Sequence, residues 1–212
     1  MVEMTKMTVG RVLEEGARIV PEKVAVVDGP RRTTYKELNN TADALAAGLW
    51  KIGFRKGDGV AIYMPNSLEL MTAFYAFQKL GVVVAWINPN YRSHEAAFVI
   101  QNSEAKGVVI FREWEGYDYL KAVHALAERA SKLESIIVVG NATGDRVRAL
   151  HDLVKKGSDD DYPRPSIDPR EDLSMLLYTS GTTGRPKGAM ISHSAAVKAG
   201  WAYSLGVDAK SD

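Results

Sequence analysis

A chain of 212 residues with 46% hydrophobic and 25% charged residues has the makeup of an ordinary soluble domain, which excludes disordered and fibrous architectures. Its formal net charge of +1, carried without a long Lys/Arg block, argues against a nucleic-acid footprint, so no nucleic-acid partner is expected. Cysteine is absent, which excludes disulfide frameworks, thiolate metal sites and cysteine nucleophiles together.

Helical and strand patterns alternate along the chain. Residues 8–20 carry helical spacing and 24–28 form a short β-branched run. Residues 35–52 place Leu38, Ala42, Leu45, Leu49 and Ile52 on one stripe of a helix that Gly53 stops. A buried strand over 60–64, a helix over 68–80 closed by Gly81 and a buried strand over 82–87 follow, and Asn88-Pro89-Asn90 breaks the run. The apolar window 70–87 is interrupted by Gln78, Lys79 and Gly81, so it reads as a buried helix running into a strand and not as a transmembrane segment.

Ser93 can cap a helix reaching about residue 102, after which 107–111 is strand-like, 117–133 helical and 135–139 strand-like again. The rhythm predicts an α/β protein, with repeated βαβ units around a largely parallel sheet. The acidic, Pro-containing stretch 157–172 reads as a surface connection and the main boundary. Residues 1–170 are thus expected to form a first α/β subdomain. Residues 171–212 supply a strand over 173–178, a loop and a helix from about Ser192 to Gly206, beginning an incomplete second subdomain. Residues 1–20 contain scattered acidic residues and no unbroken apolar core, so they do not read as a secretory signal, and a cytoplasmic location is the expectation.

The most informative segment follows the strand at 173–178. Thr179, Ser180, Thr182 and Thr183 offer hydroxyl donors, while Gly181, Gly184 and Gly188 let backbone N–H groups approach an anion. Lys187 adds a mobile cation suited to phosphate oxygens. Composition alone leaves two readings open: a polyphosphate-binding loop, or a hydroxyl-rich surface turn between two strands. A Walker-type loop fails on spacing, because Pro186 stands where glycine is required and Gly188 follows the lysine.

The run YTSGTTGRPKG, Tyr178 to Gly188, closely resembles the signature loop of the adenylate-forming superfamily, in its acyl- and aryl-CoA synthetase branch. Two earlier stretches resemble that family as well: Thr34-Tyr35-Lys36-Glu37-Leu38, and Gln78-Lys79-Leu80-Gly81 through Ile87-Asn88-Pro89, both read as structural. The resemblance implies ATP-contacting roles for Thr179, Ser180, Gly181, Thr182, Thr183, Gly184 and Lys187. It also implies joining of a carboxylic acid, here expected to be a fatty acid, to AMP with release of pyrophosphate, then transfer of the acyl group to CoA. ATP with Mg2+ and CoA as co-substrate are implied for the complete enzyme.

The family's aromatic-acidic segment for Mg2+ and adenine, its ribose-binding aspartate and its C-terminal lysine have no counterpart in these residues. The chain is therefore expected to be an N-terminal fragment, inactive by itself, with Lys187 a phosphate ligand and no catalytic or metal residue assigned. The segment after Leu173 is expected to lack sheet partners, and hence to be mobile or to self-associate. The alternative function is a non-catalytic binding or assembly module on the same fold; a stand-alone ATPase is disfavoured by the loop spacing.

The remaining polar residues carry plainer expectations. His94, His124, His151 and His193 lack a paired metal-binding spacing, and His193 reads as a helix-start packing residue with substrate contact as the lesser reading. Asp159-Asp160-Asp161 reads as a solvated linker. Ser180 lacks the flanking Gly-x-Ser-x-Gly pattern of a hydrolase nucleophile.

Overall fold

The computed structural model describes residues 6–127, 130–157, 161–179 and 186–206. In chain order the helices are α1 (Val9–Ile19), α2 (Tyr35–Lys51), α3 (Leu68–Leu80), α4 (Ser93–Asn102), α5 (Tyr119–Ala127), α6 (Leu150–Gly157) and α7 (His193–Gly206). The strands are β1 (Val24–Asp28), β2 (Arg31–Thr34), β3 (Gly59–Tyr63), β4 (Val83–Trp86), β5 (Ala105–Phe111), β6 (Glu113–Trp114), β7 (Tyr117–Asp118), β8 (Ser135–Val139), β9 (Val147–Ala149), β10 (Leu173–Thr179) and β11 (Lys187–Ser192).

A seven-stranded sheet in the order β11-β10-β4-β3-β5-β8-β9 organises the molecule. Every neighbouring pair is parallel except β10 with β11, so the α/β architecture with a largely parallel sheet is what the chain adopts. The central strands read as nearly unbroken apolar runs because helices cover both faces. Val60 and Ile62 of β3 point to the face packed by α2, α3 and α6, while Ala61 and Tyr63 point to the face packed by α4 and α5. One residue's slip in register would exchange these two cores.

Local chemistry sets the helix ends. Thr34 opens α2 with a reciprocal capping box: its hydroxyl accepts from the Glu37 N–H, and Glu37 accepts from the Thr34 N–H at 2.8 Å. Ser67 caps α3 through the Leu70 N–H, and Gly81 ends that helix at φ 69, a left-handed conformation natural to glycine. Helix α4 begins at Ser93 but its cap is Arg92, with Glu95 accepting from the Arg92 N–H at 3.2 Å. The helix expected over 117–133 is shorter because Tyr117–Asp118 turns back on Glu113–Trp114 as a hairpin. Both turn residues, Glu115 and Gly116, have positive φ, which suits a tight two-residue hairpin turn.

Helix α6 lies against α2 with almost no space between their backbones. A Cβ at Gly48 would fall 2.2 Å from the Leu153 carbonyl oxygen, and one at Gly157 would fall 1.9 Å from the Ala44 oxygen. Glycine is required at this crossing for close approach.

One expectation about the later chain is refined and one is corrected. The described part of the connection before β10 runs mostly over the surface, as expected, but is pinned there: Tyr162 is buried, its hydroxyl hydrogen-bonds Asp43, and Arg164 pairs with Glu14 at 2.6 Å and Asp43 at 3.0 Å. Asp159 and Asp160 lie outside the described residues, and the Asp161 carboxylate accepts from the Tyr162 N–H. The same cluster holds Lys79, whose side chain is only 2% exposed and donates to Glu14, Asn39 and Asp43. Secondly, Leu173–Thr179 does not lack sheet partners. Strand β10 is hydrogen-bonded on both sides, to β4 and to β11, and the buried Ser174 donates to Gln78 of α3.

Candidate phosphate-binding site

Strand β10 ends at Thr179, at the C-terminal edge of the parallel sheet. Its neighbour β4 ends at Trp86, opposite Leu177, and runs out into Asn88-Pro89. Helix α3 leaves β3 toward one face and α4 leaves β4 toward the other, so the connections diverge between these strands.

The antiparallel register of β10 and β11 puts Thr179 directly opposite Lys187, with Tyr178 opposite Gly188. Of the seven loop positions expected to contact ATP, the structure thus brings Thr179 and Lys187 together as the pair that closes the hairpin. Ser180, Gly181, Thr182, Thr183 and Gly184 lie outside the described residues. Lys187 is exposed and has no ion-pair partner among the described residues, which leaves its ammonium available to an anion. The donor set at the hairpin mouth, one hydroxyl and one free cation on adjacent strand ends, fits a polyphosphate.

Behind this mouth stands a contact that spacing along the chain does not reveal. The Tyr178 hydroxyl donates to Asn102 Oδ1 at 2.8 Å, and the Phe98 ring meets the Tyr178 ring edge-on at 6.2 Å between centroids. Burial pushes the Tyr178 phenol up, so it remains a proton donor at ordinary pH. Asn102 and Phe98 both belong to α4 and lie far from Tyr178 in sequence; only the sheet topology joins them.

Among the histidines, His193 is fully buried at the start of α7. Its Nδ1 accepts from the Val9 N–H at 3.3 Å, and its Nε2 has no partner among the described residues. Burial lowers its pKa to about 4, with Asp172 opposing and Lys56 adding to the shift, so the imidazole is neutral near pH 7. This is the packing role expected for a helix start. His94 is exposed, and His151 faces Asp152 at 3.2 Å. No group of three or more metal-ligating side chains is present among the described residues, and no helix there is long and apolar enough to cross a membrane.

The chain belongs to the AMP-binding enzyme family, whose sequence model matches residues 13–211. It is 32% identical over 186 residues to 2-hydroxy-7-methoxy-5-methyl-1-naphthoate–CoA ligase of Streptomyces carzinostaticus, covering 85% of this chain and 33% of that protein. It is 31% identical over 211 residues to the mitochondrial medium-chain acyl-CoA ligase ACSF2 of Mus musculus, covering 90% of this chain and 34% of that one. Among solved structures, the long-chain-fatty-acid-CoA ligase FadD1 of Archaeoglobus fulgidus superposes with a TM-score of 0.84 at 25% identity, covering 96% of this chain and 40% of that one. The chain spans about a third to two fifths of the length of the relatives it matches.

Proposed function

We propose that this chain carries the ATP-phosphate grip of an acid–CoA ligase acting on a fatty acid. In the proposed reaction a substrate carboxylate oxygen attacks the α-phosphorus of ATP and pyrophosphate leaves. The sulfur of CoA then attacks the acyl carbonyl carbon and AMP departs. The observation that supports this reading is the pairing of Thr179 with Lys187 across β10 and β11, the two strands that flank the family loop sequence. Lys187 would neutralise charge on the β- and γ-phosphates, and the Thr179 hydroxyl would donate to a phosphate oxygen. Positioning and charge neutralisation are the main contributions a protein makes to such displacements.

Ser180, Gly181, Thr182, Thr183 and Gly184 are assigned to the same grip on the family resemblance. The proposal assigns Mg2+ to the complete enzyme and to no residue of this chain, and it sets the reaction in the cytoplasm. The boundary near residue 170 is then the point where the chain re-enters the sheet through β10 to open the second subdomain. Medium- and long-chain acyl–CoA ligases among the relatives support a fatty acid as substrate. The test is carboxylate-dependent ATP–pyrophosphate exchange by the natural full-length polypeptide across fatty and aromatic acids. Exchange is expected with fatty acids; phosphate release in place of exchange would contradict the reading.

A second reading is favoured by one observation. Met190 of β11 and Trp201 and Tyr203 of α7 are 68%, 55% and 73% exposed, an apolar surface beside the outer strand. A non-catalytic module that self-associates through β11 and α7 would cover it. Sedimentation of the chain would show a monomer if this second reading is wrong.

A further inference from the structure

The loop reading leaves open what holds the hairpin in place, and three contacts converge on one ring there. Tyr178 precedes Thr179 directly, so a shift of its backbone moves the Thr179–Lys187 pair. On one side of the ring, Asn102 Oδ1 accepts the phenol hydrogen at 2.8 Å and Phe98, one helical turn earlier on α4, packs edge-on at an interplanar angle of 87°. The cross-strand partner is Gly188, where a Cβ would come within 3.1 Å of the Tyr178 ring. That is tighter than most real Cβ contacts, so a side chain at this position would press on the ring and push it slightly off its place against β11.

We propose that Asn102 is a positioning residue: through Tyr178 it fixes the mouth of the hairpin so that Thr179 and Lys187 meet the phosphates of ATP in register. The proposal rests on the phosphate-grip reading above. Helix α4 is anchored independently by its apolar face, Ala96, Val99 and Ile100, in the core. It therefore offers the hairpin a rigid reference, and pre-set geometry is what a phosphate grip requires. Asn102 touches no substrate; it acts only through the tyrosine.

The experiment compares Asn102→Ala, Asn102→Asp, Tyr178→Phe and the double variant Asn102→Ala/Tyr178→Phe in the natural full-length polypeptide. Two readouts are taken: amide hydrogen exchange across 173–192, and KM for MgATP beside KM for the acid. Loss of one hydrogen bond of ordinary net strength predicts roughly a three- to tenfold rise in KM for MgATP and in exchange rate near the hairpin mouth. Asn102→Asp, which keeps the acceptor, is expected to restore both, the KM for the acid is expected to stay put, and the double variant should be no worse than either single change. Unchanged exchange and KM in Asn102→Ala, or additive losses in the double variant, would overturn the proposal. Failure of the unmodified protein to use MgATP would instead refute the phosphate-grip reading, with the exchange data still deciding whether Asn102 holds the hairpin.

Discussion

Replacing Gly48 with alanine sets two effects of opposite sign against each other. Inside an exposed helix, alanine is favoured over glycine by about 1 kcal/mol, because it restricts the unfolded chain and adds no strain. At Gly48 the new methyl group would lie 2.2 Å from the Leu153 oxygen and 2.8 Å from its carbonyl carbon, against roughly 3.4 Å for an ordinary contact. Both neighbours are backbone atoms of α6, so no side chain can swing aside, and α6 must move away by about an ångström or α2 must distort. Overpacking of this kind costs typically about 1–3 kcal/mol, and rigid neighbours put this site toward the upper end. Net destabilisation of about 2 kcal/mol is therefore expected. Gly200, in α7, is the control: nothing lies within 4 Å of its would-be Cβ, and Gly200→Ala is expected to stabilise by about 0.5–1 kcal/mol. Urea unfolding at constant m-value gives both numbers. Gly48→Ala that matched Gly200→Ala in sign would refute the claim that α2 and α6 pack backbone to backbone.

Other expectations follow from the charged cluster and the buried histidine. Lys79→Met removes the cation that Glu14, Asn39 and Asp43 share, and although Arg164 still faces both carboxylates, a loss of about 2–3 kcal/mol in urea is expected. A loss below about 1 kcal/mol would mean that Arg164 alone satisfies the cluster. For His193 the folded pKa, about 4, lies below the ordinary value of 6.5, so the unfolded chain takes up a proton first as pH falls. Its contribution is intact above pH 6.5 and is lost progressively toward pH 4. Between pH 6.5 and 4.5 it should remove about 2 kcal/mol of stability. His193→Gln should flatten that slope in pH-dependent unfolding; an unchanged slope would show that the imidazole is not the titrating group.

Elements with long apolar patterns were legible from sequence, and those made by partners were not. Strands β3, β4, β5 and β8 announce themselves as apolar runs because helices cover both their faces, and α2 shows both its stripe and its Thr34–Glu37 capping box. By contrast β2, with the sequence RRTT, is polar and exists through pairing with β1, and β9 is three residues on the edge of β8. Helix α6 is hard to read from sequence although Leu150, Leu153, Val154 and Gly157 mark one face, because eight residues give a short pattern. Strand β11, KGAMIS, carries one β-branched residue and was hidden within the loop motif. The site divides in the same way. Its loop residues were legible as a motif, and Thr179 and Lys187 face each other across β10 and β11, whereas the contact of Asn102 with Tyr178 crosses 76 positions and arises only from the sheet order.

The most direct measurement of the central claim is MgATP affinity in the natural full-length polypeptide and its Lys187→Ala variant, with far-ultraviolet circular dichroism confirming an unchanged fold. Lys187 is exposed at the hairpin mouth, so its removal should leave folding intact while costing a charge-assisted phosphate contact, roughly a tenfold or greater loss of affinity. Equal affinity in the two proteins would contradict the assignment of the β10–β11 hairpin as a phosphate grip.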